Sequence, residues 1–351
     1  MKLKSIRGFV FLVAGFVSHS TFAAPAAAPA TVRVLTDRTE SHLKPIFEAY
    51  EKAKGVKINA VFIDQGLLNR LESRPDEADV VITKDAELLE LAKQKGLLQP
   101  FKSEKITSSI GESFRDKDSN YFVDAYRVRS IITSKARVKP GDVNNYEDLV
   151  LPKYKGKVCI RSGFHDYNVA LFSMMMAANG AEKTKSFIKG LHANLAQDPK
   201  GGDRDQAKAI MEGKCDIAIM NSYYYPIMMG NPDQKAWAEA VNLVLPNQKE
   251  KGAFIMRSAL GLTKAKAQLK EATELLEYMA SEEGQTTTSN LTYQFPTNTK
   301  VPMHATLKSM IASQPNVKDG AFKVNFVQLK DMASHREEVV KILNEVKFDQ
   351  R

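Results

Sequence analysis

This sequence is poor in the residues that build hydrolase metal centres and redox sites: it has two cysteines and six histidines in 351 residues. No two histidines fall in His-x-His or His-x-x-His spacing. A zincin helix motif, a nucleophile elbow and a Gly-rich phosphate loop are all missing. Ser222, beside a run of tyrosines, has no visible base partner. These absences argue against an enzyme. Clustered Lys/Arg with interleaved aromatics is also missing, so no nucleic-acid partner is expected. Lysines and acids are interspersed along the chain, and the formal charge of +9 reads as solvated helix faces. Past residues 8–17 no long uncharged run occurs, so no membrane-spanning helix is expected.

That apolar run has the flanks of an export signal. Lys2, Lys4 and Arg7 precede it, and Thr21-Phe22-Ala23 supplies a small-residue cleavage site, so residues 1–23 read as a signal peptide cut after Ala23. Without those three basic residues the charge falls from +9 to about +6. Neither cysteine lies in a lipobox. The mature chain, after a loose lead-in at 24–31, is expected to be soluble and periplasmic. In an oxidising compartment two cysteines invite pairing. Cys159 lies in the short apolar strand Lys157-Val158-Cys159-Ile160, and Cys215 opens the run Cys215-Asp216-Ile217-Ala218-Ile219-Met220. A Cys159–Cys215 disulfide is expected if those strands are neighbours; two buried free thiols are the alternative.

Hydrophobic periodicity alternates strand and helix through residue 96, a βαβα opening with a parallel sheet. The alternating stretch 121–132 reads as long strands that could cross between two lobes, and 253–263 as a second crossing strand. A second α/β unit lies between them. Its helix 169–179 carries Met174, Met175 and Met176, which read as core rather than as thioether ligands. After a helix at 269–281 the chain reads as irregular through Phe295-Pro296-Thr297-Asn298, and ends in a helix at 335–346. The expected fold is α/β: a two-lobe binding protein with two crossing strands as hinge and its ligand in the cleft. The expected partition is 32–125 plus 260–351 for the N-terminal lobe, and 126–259 for the C-terminal lobe.

The most informative stretch follows the second cysteine. Three of the eleven tyrosines, Tyr223, Tyr224 and Tyr225, stand directly after an aliphatic strand, where α/β folds place ligands. Phenols converging on one point suit a hard, highly charged cation such as Fe(III). Packing at a lobe interface, or a sugar-stacking surface, would use the same rings.

Gly201-Gly202-Asp203-Arg204-Asp205-Gln206, together with Asp216-Ile217-Ala218-Ile219-Met220-Asn221-Ser222-Tyr223-Tyr224, resembles the periplasmic iron-binding proteins of ABC importers, in their tyrosine-rich ferric-binding branch. Ile160-Arg161-Ser162 with Tyr167-Asn168 is similar to that family's strand-to-helix turn, and 97–100 and 293–298 fit its pattern too. The resemblance spans nearly the whole mature chain. It implies a type II two-lobe protein, expected as a monomer, that carries Fe(III) to a membrane permease. Tyr167, Tyr223 and Tyr224 would be the phenolate ligands, and Tyr225 would point away, as strand alternation also suggests. Arg38, Arg161 and Arg204 are candidates to offset phenolate charge or to hold a synergistic anion. Arg204 also reads as part of a helix N-terminus with surface ion pairs, and Asp203 as its N-cap. The family commonly carries His-Tyr after an Arg at the first strand, but here Arg38 is followed by Thr39-Glu40. Glu40 is the expected substitute, with His42, water or an anion as the other options. The rival reading is a binding protein for an organic solute (a polyamine, a thiamine-like ring or an organic anion) held by aromatics and arginines.

Overall fold

The computed structural model describes residues 30–265, 267–317 and 321–350. The expected signal peptide and all but the end of the lead-in lie outside the described residues. Thr31–Thr36 pairs in parallel with Lys57–Phe62 on one side and Val80–Thr83 on the other. Glu40–Lys54 and Leu67–Ser73 connect them, the βαβ arrangement that the apolar periodicity dictates. Glu40–Lys54 buries Leu43, Ile46, Phe47 and Tyr50 at helical spacing and ends at Gly55, whose φ of 67° closes the left-handed cap.

Two strands hold the lobes together. Tyr121–Ser134 and Ala253–Thr263 run antiparallel, from the pair Tyr121–Gly261 to the pair Val128–Ile255. At one end Ala253–Thr263 pairs with Val80–Thr83 in the first lobe. The far half of Tyr121–Ser134 pairs with Ile217–Asn221 and Val241–Val244 in the second. Both crossings stand where alternation put them. The register slips between Val123 and Ala125, and there Asp124 forms a buried ion pair with Arg38 at 2.8 Å. Such a bulge bends the strand where the lobes meet.

Val158–Cys159 lies parallel to Ile217–Asn221, and Cys159 is disulfide-bonded to Cys215 with their Cα atoms 5.8 Å apart. Met174, Met175 and Met176 are buried in the second lobe's core, on a helix, Asp166–Asn179, whose residues from Tyr167 to Met176 are all buried.

Two expectations need correction. The stretch after residue 281 is not irregular: Glu282–Thr292 is a helix capped by Ser281, whose Oγ accepts from the Gly284 amide. Its threonines and glycine are weak helix formers, and tertiary contacts override them. Gln285 donates to the Asp124 carbonyl and accepts from the Thr297 amide. A Cβ on Gly284 would stand 2.1 Å from the Tyr278 carbonyl oxygen, so only glycine lets the two helices meet so closely. The second correction concerns the C-terminal segment, expected wholly in the first lobe. Leu269–Ala280 and Glu282–Thr292 do pack on the first lobe's elements. Ala305–Ala312 and Arg336–Glu345 instead cover the two faces of the second, with Leu307 and Ile311 on one side and Val339, Leu343 and Phe348 on the other.

Candidate metal site

The strand Ile217–Asn221 delivers its tyrosines by stopping. Ser222 leaves the sheet, and the chain winds into the helix Tyr224–Gly230. Strand alternation is therefore the wrong reason for Tyr225 to point elsewhere. Each helical residue turns by about 100°, so Tyr225 stands about 200° round from Tyr223 and lines a separate cavity with Lys135, Val241 and Gln314. Tyr167 arrives from another direction, in the first turn of Asp166–Asn179, where His165 Nδ1 accepts from the Tyr167 amide.

These elements bring the three phenols together. The hydroxyl oxygens of Tyr167 and Tyr223 lie 3.4 Å apart, and the Tyr223 and Tyr224 rings are 4.1 Å apart. Burial, then the neighbouring phenols, pushes the Tyr223 hydroxyl well above its usual pKa. Tyr224 is raised for the same first reason. Cations surround the cluster: the guanidinium carbons of Arg161, Arg127 and Arg129 stand 5.2, 5.4 and 5.7 Å from the Tyr167 ring centre. That of Arg204 stands 5.6 Å from the Tyr224 ring, while Arg204 Nη1 donates to Gln234.

One buried carboxylate fixes this geometry. Asp203 accepts from Arg129 at 2.5 Å, from the Asn221 amide at 2.8 Å and from Arg161 at 3.3 Å. Arg129 donates on to Asn168, whose amide bonds the carbonyls of Arg161 and Ser162. The turn behind Tyr167 and the strand end before Tyr223 thus share one network. Asp203 is not the helix cap; Gly202 holds that position and Asp203 is the first helical residue.

Across the cleft, a cavity of about 380 Å³ joins Tyr167 and Tyr223 to Asp37, Arg38, Glu40 and His42 of the first lobe and to Arg127 of the crossing strand. Tyr224 stands beside it, on Tyr223. Burial and the nearby Asp85 push the Asp37 carboxyl up to about 6, and burial with Arg38 lowers His42 to about 4. Arg38 gives Nη1 to Asp124, and its Nη2 is buried without a partner. Glu40 opens the helix Glu40–Lys54 and stands exposed, 3.6 Å from Lys44. Sequence reasoning missed Arg127, Arg129 and Asp203. Two arginines inside a strand buried along its length were the available signal.

Among the described residues no group of three or more His, Cys, Asp or Glu is placed to hold a metal. The clustered donors of the cleft are phenol oxygens, which suit a hard cation.

Residues 76–319 match the family described as bacterial extracellular solute-binding protein. Iron uptake protein A1 of Synechocystis sp. is 31% identical over 306 residues, 86% of this chain and 82% of that protein. The apo ferric ion-binding protein A of Pasteurella haemolytica superposes with a TM-score of 0.84 at 37% identity, over 91% of this chain and 98% of that one. A Trichodesmium protein solved with iron and citrate ligands superposes at 0.81 with 28% identity, over 91% of this chain and 100% of that one. The two-lobe architecture is that of the periplasmic binding proteins. The chain belongs to the bacterial extracellular solute-binding protein family, whose members carry ligands rather than transform them.

Proposed function

We infer that this protein binds Fe(III) in its interlobe cleft through Tyr167, Tyr223 and Tyr224, and hands it to the permease of an ABC importer. The observation that carries the reading is the convergence of three phenols from two separate elements under a roof of arginines. The Tyr167 and Tyr223 hydroxyls meet only at a long 3.4 Å, and a trivalent cation supplies a stronger common partner. The proteins of similar sequence and structure that carry iron in their names support it. In this reading the mature protein begins after Ala23, works in the periplasm as a monomer, and closes its lobes on the metal.

Each phenol must lose its proton to bind, so uptake releases protons and acid opposes it. The raised pKa of Tyr223 and Tyr224 makes the metal's own charge the agent of deprotonation. Each proton released raises apparent affinity about tenfold per pH unit. Arg38, with a free buried nitrogen, and Arg161 are the candidates to hold a synergistic anion, while Arg204 screens Tyr224. The test is to offer ferric citrate to metal-free protein. An orange to red colour from phenolate-to-iron charge transfer should appear, with one iron retained per chain, and should fade on acidification. Protein that stays colourless and retains an organic solute instead would overturn the assignment.

Glu40 is proposed as the first-lobe ligand, reached when the cleft closes. Its ion pair with Lys44 is mostly exposed and worth little. Glu40→Gln should therefore weaken iron retention at least tenfold, the least that even an outer-shell change costs, and leave the melting temperature unchanged. Equal retention in the mutant and the wild type would return Glu40 to helix capping.

A further inference from the structure

The crossing strands have a second face. Ser258 lines the iron cleft, and its neighbour Arg257 projects the opposite way, into a cavity of about 540 Å³ on the reverse side of the hinge. We propose that this cavity is a second ligand site, for a small organic carboxylate with an apolar body, whose anionic end Arg257 receives.

Arg257 is only 6% exposed. Its guanidinium makes one hydrogen bond, from Nη2 to the Val327 carbonyl at 2.6 Å, and among the described residues no carboxylate stands within ion-pair distance. Burial lowers its pKa to about 10, with Glu87 only partly offsetting. A buried guanidinium is normally retained with an anionic partner. The lining charges do not supply one. Glu90 accepts from Tyr121 and Gln94, and Asp116 and Asp118 are paired with Lys93. Glu112 and Asp331 stand exposed. A second cation, Arg115, lines the same cavity with its Nε buried and unpartnered. Two planar donors facing one space suit a carboxylate.

Part of the wall is apolar. Phe114 and Phe326 meet edge to face at 5.3 Å, with Val123, Val327 and Leu329 beside them, and Phe326 is 43% exposed. Phe114 comes from the first lobe, whereas Val327 belongs to the core of the second, so a ligand here would touch both lobes.

Metal-free protein titrated with benzoate should show one saturable site and a raised melting temperature. Arg257→Gln and Phe326→Asp should each weaken binding at least tenfold, and Lys84→Gln, a cation of the front cleft, should not. If Arg257→Gln fails to fold, Phe326→Asp decides, because that side chain is already half in water. No saturation, or binding lost in Lys84→Gln and kept in Phe326→Asp, overturns the proposal. Inorganic phosphate competing as well as benzoate overturns the apolar-carboxylate assignment.

Discussion

Tyr223→Phe combined with Tyr224→Phe will abolish both the visible colour and the retained iron of this protein. The change deletes two oxygens and keeps both rings, so it separates ligation from packing. Loss of an outer-shell partner alone typically weakens a metal site 10–100-fold, and removing two of the proposed ligand atoms should exceed that. The apo fold should barely notice. The hydroxyl contact being removed is long, 3.4 Å from Tyr167 to Tyr223, and a hydrogen bond contributes about 1 kcal/mol net, about one to two degrees of melting temperature in a chain this size. Tyr225→Phe is the control, since that ring lines a different cavity, and it should keep colour and iron. A double mutant that still takes up one iron per chain would remove these tyrosines from the site.

The other large effect lies in the disulfide. Cys159→Ser with Cys215→Ser opens a loop whose ends are 56 residues apart. By loop-closure entropy this lowers stability by about 4 kcal/mol. The bridge ties Val158–Cys159 to the start of the strand that presents Tyr223. The denaturation midpoint should therefore drop, while folded mutant still binds iron, because the hydroxyls themselves are untouched. Urea melts of both proteins, with and without reductant, check this. Coincident midpoints under oxidising conditions would contradict it.

What could be read from residues alone was whatever local pattern specifies. The parallel opening, the crossing strands and the disulfide follow from period-2 and period-3.6 burial and from the compartment. The tyrosines could be singled out because aromatics crowd a strand end. What stayed hidden depends on partners distant in sequence. Asp203 has the local signature of a helix start, and only the fold shows it receiving Arg129, Arg161 and the Asn221 amide. Glu282–Thr292 forms against its own propensities because Gln285 is claimed by Asp124 and Thr297. The reach of the C-terminal segment back to the second lobe could not be read either, since an amphipathic helix does not say which core it will cover.

The place of Ala253–Thr263 in the sheet also sets an order of assembly. It lies between Val80–Thr83 and Tyr121–Ser134, strands made far earlier in the chain. Until it arrives, the first half of the sequence holds two open edges and an unfinished core. The second lobe's strands Val158–Cys159 and Ile217–Asn221 already have each other and the far half of Tyr121–Ser134. The first lobe's strands Thr31–Thr36, Lys57–Phe62 and Val80–Thr83 likewise have each other, but their sheet joins the rest only through Ala253–Thr263. Such long-range pairing makes for slow folding, and until it forms the first three strands are in want of a fourth.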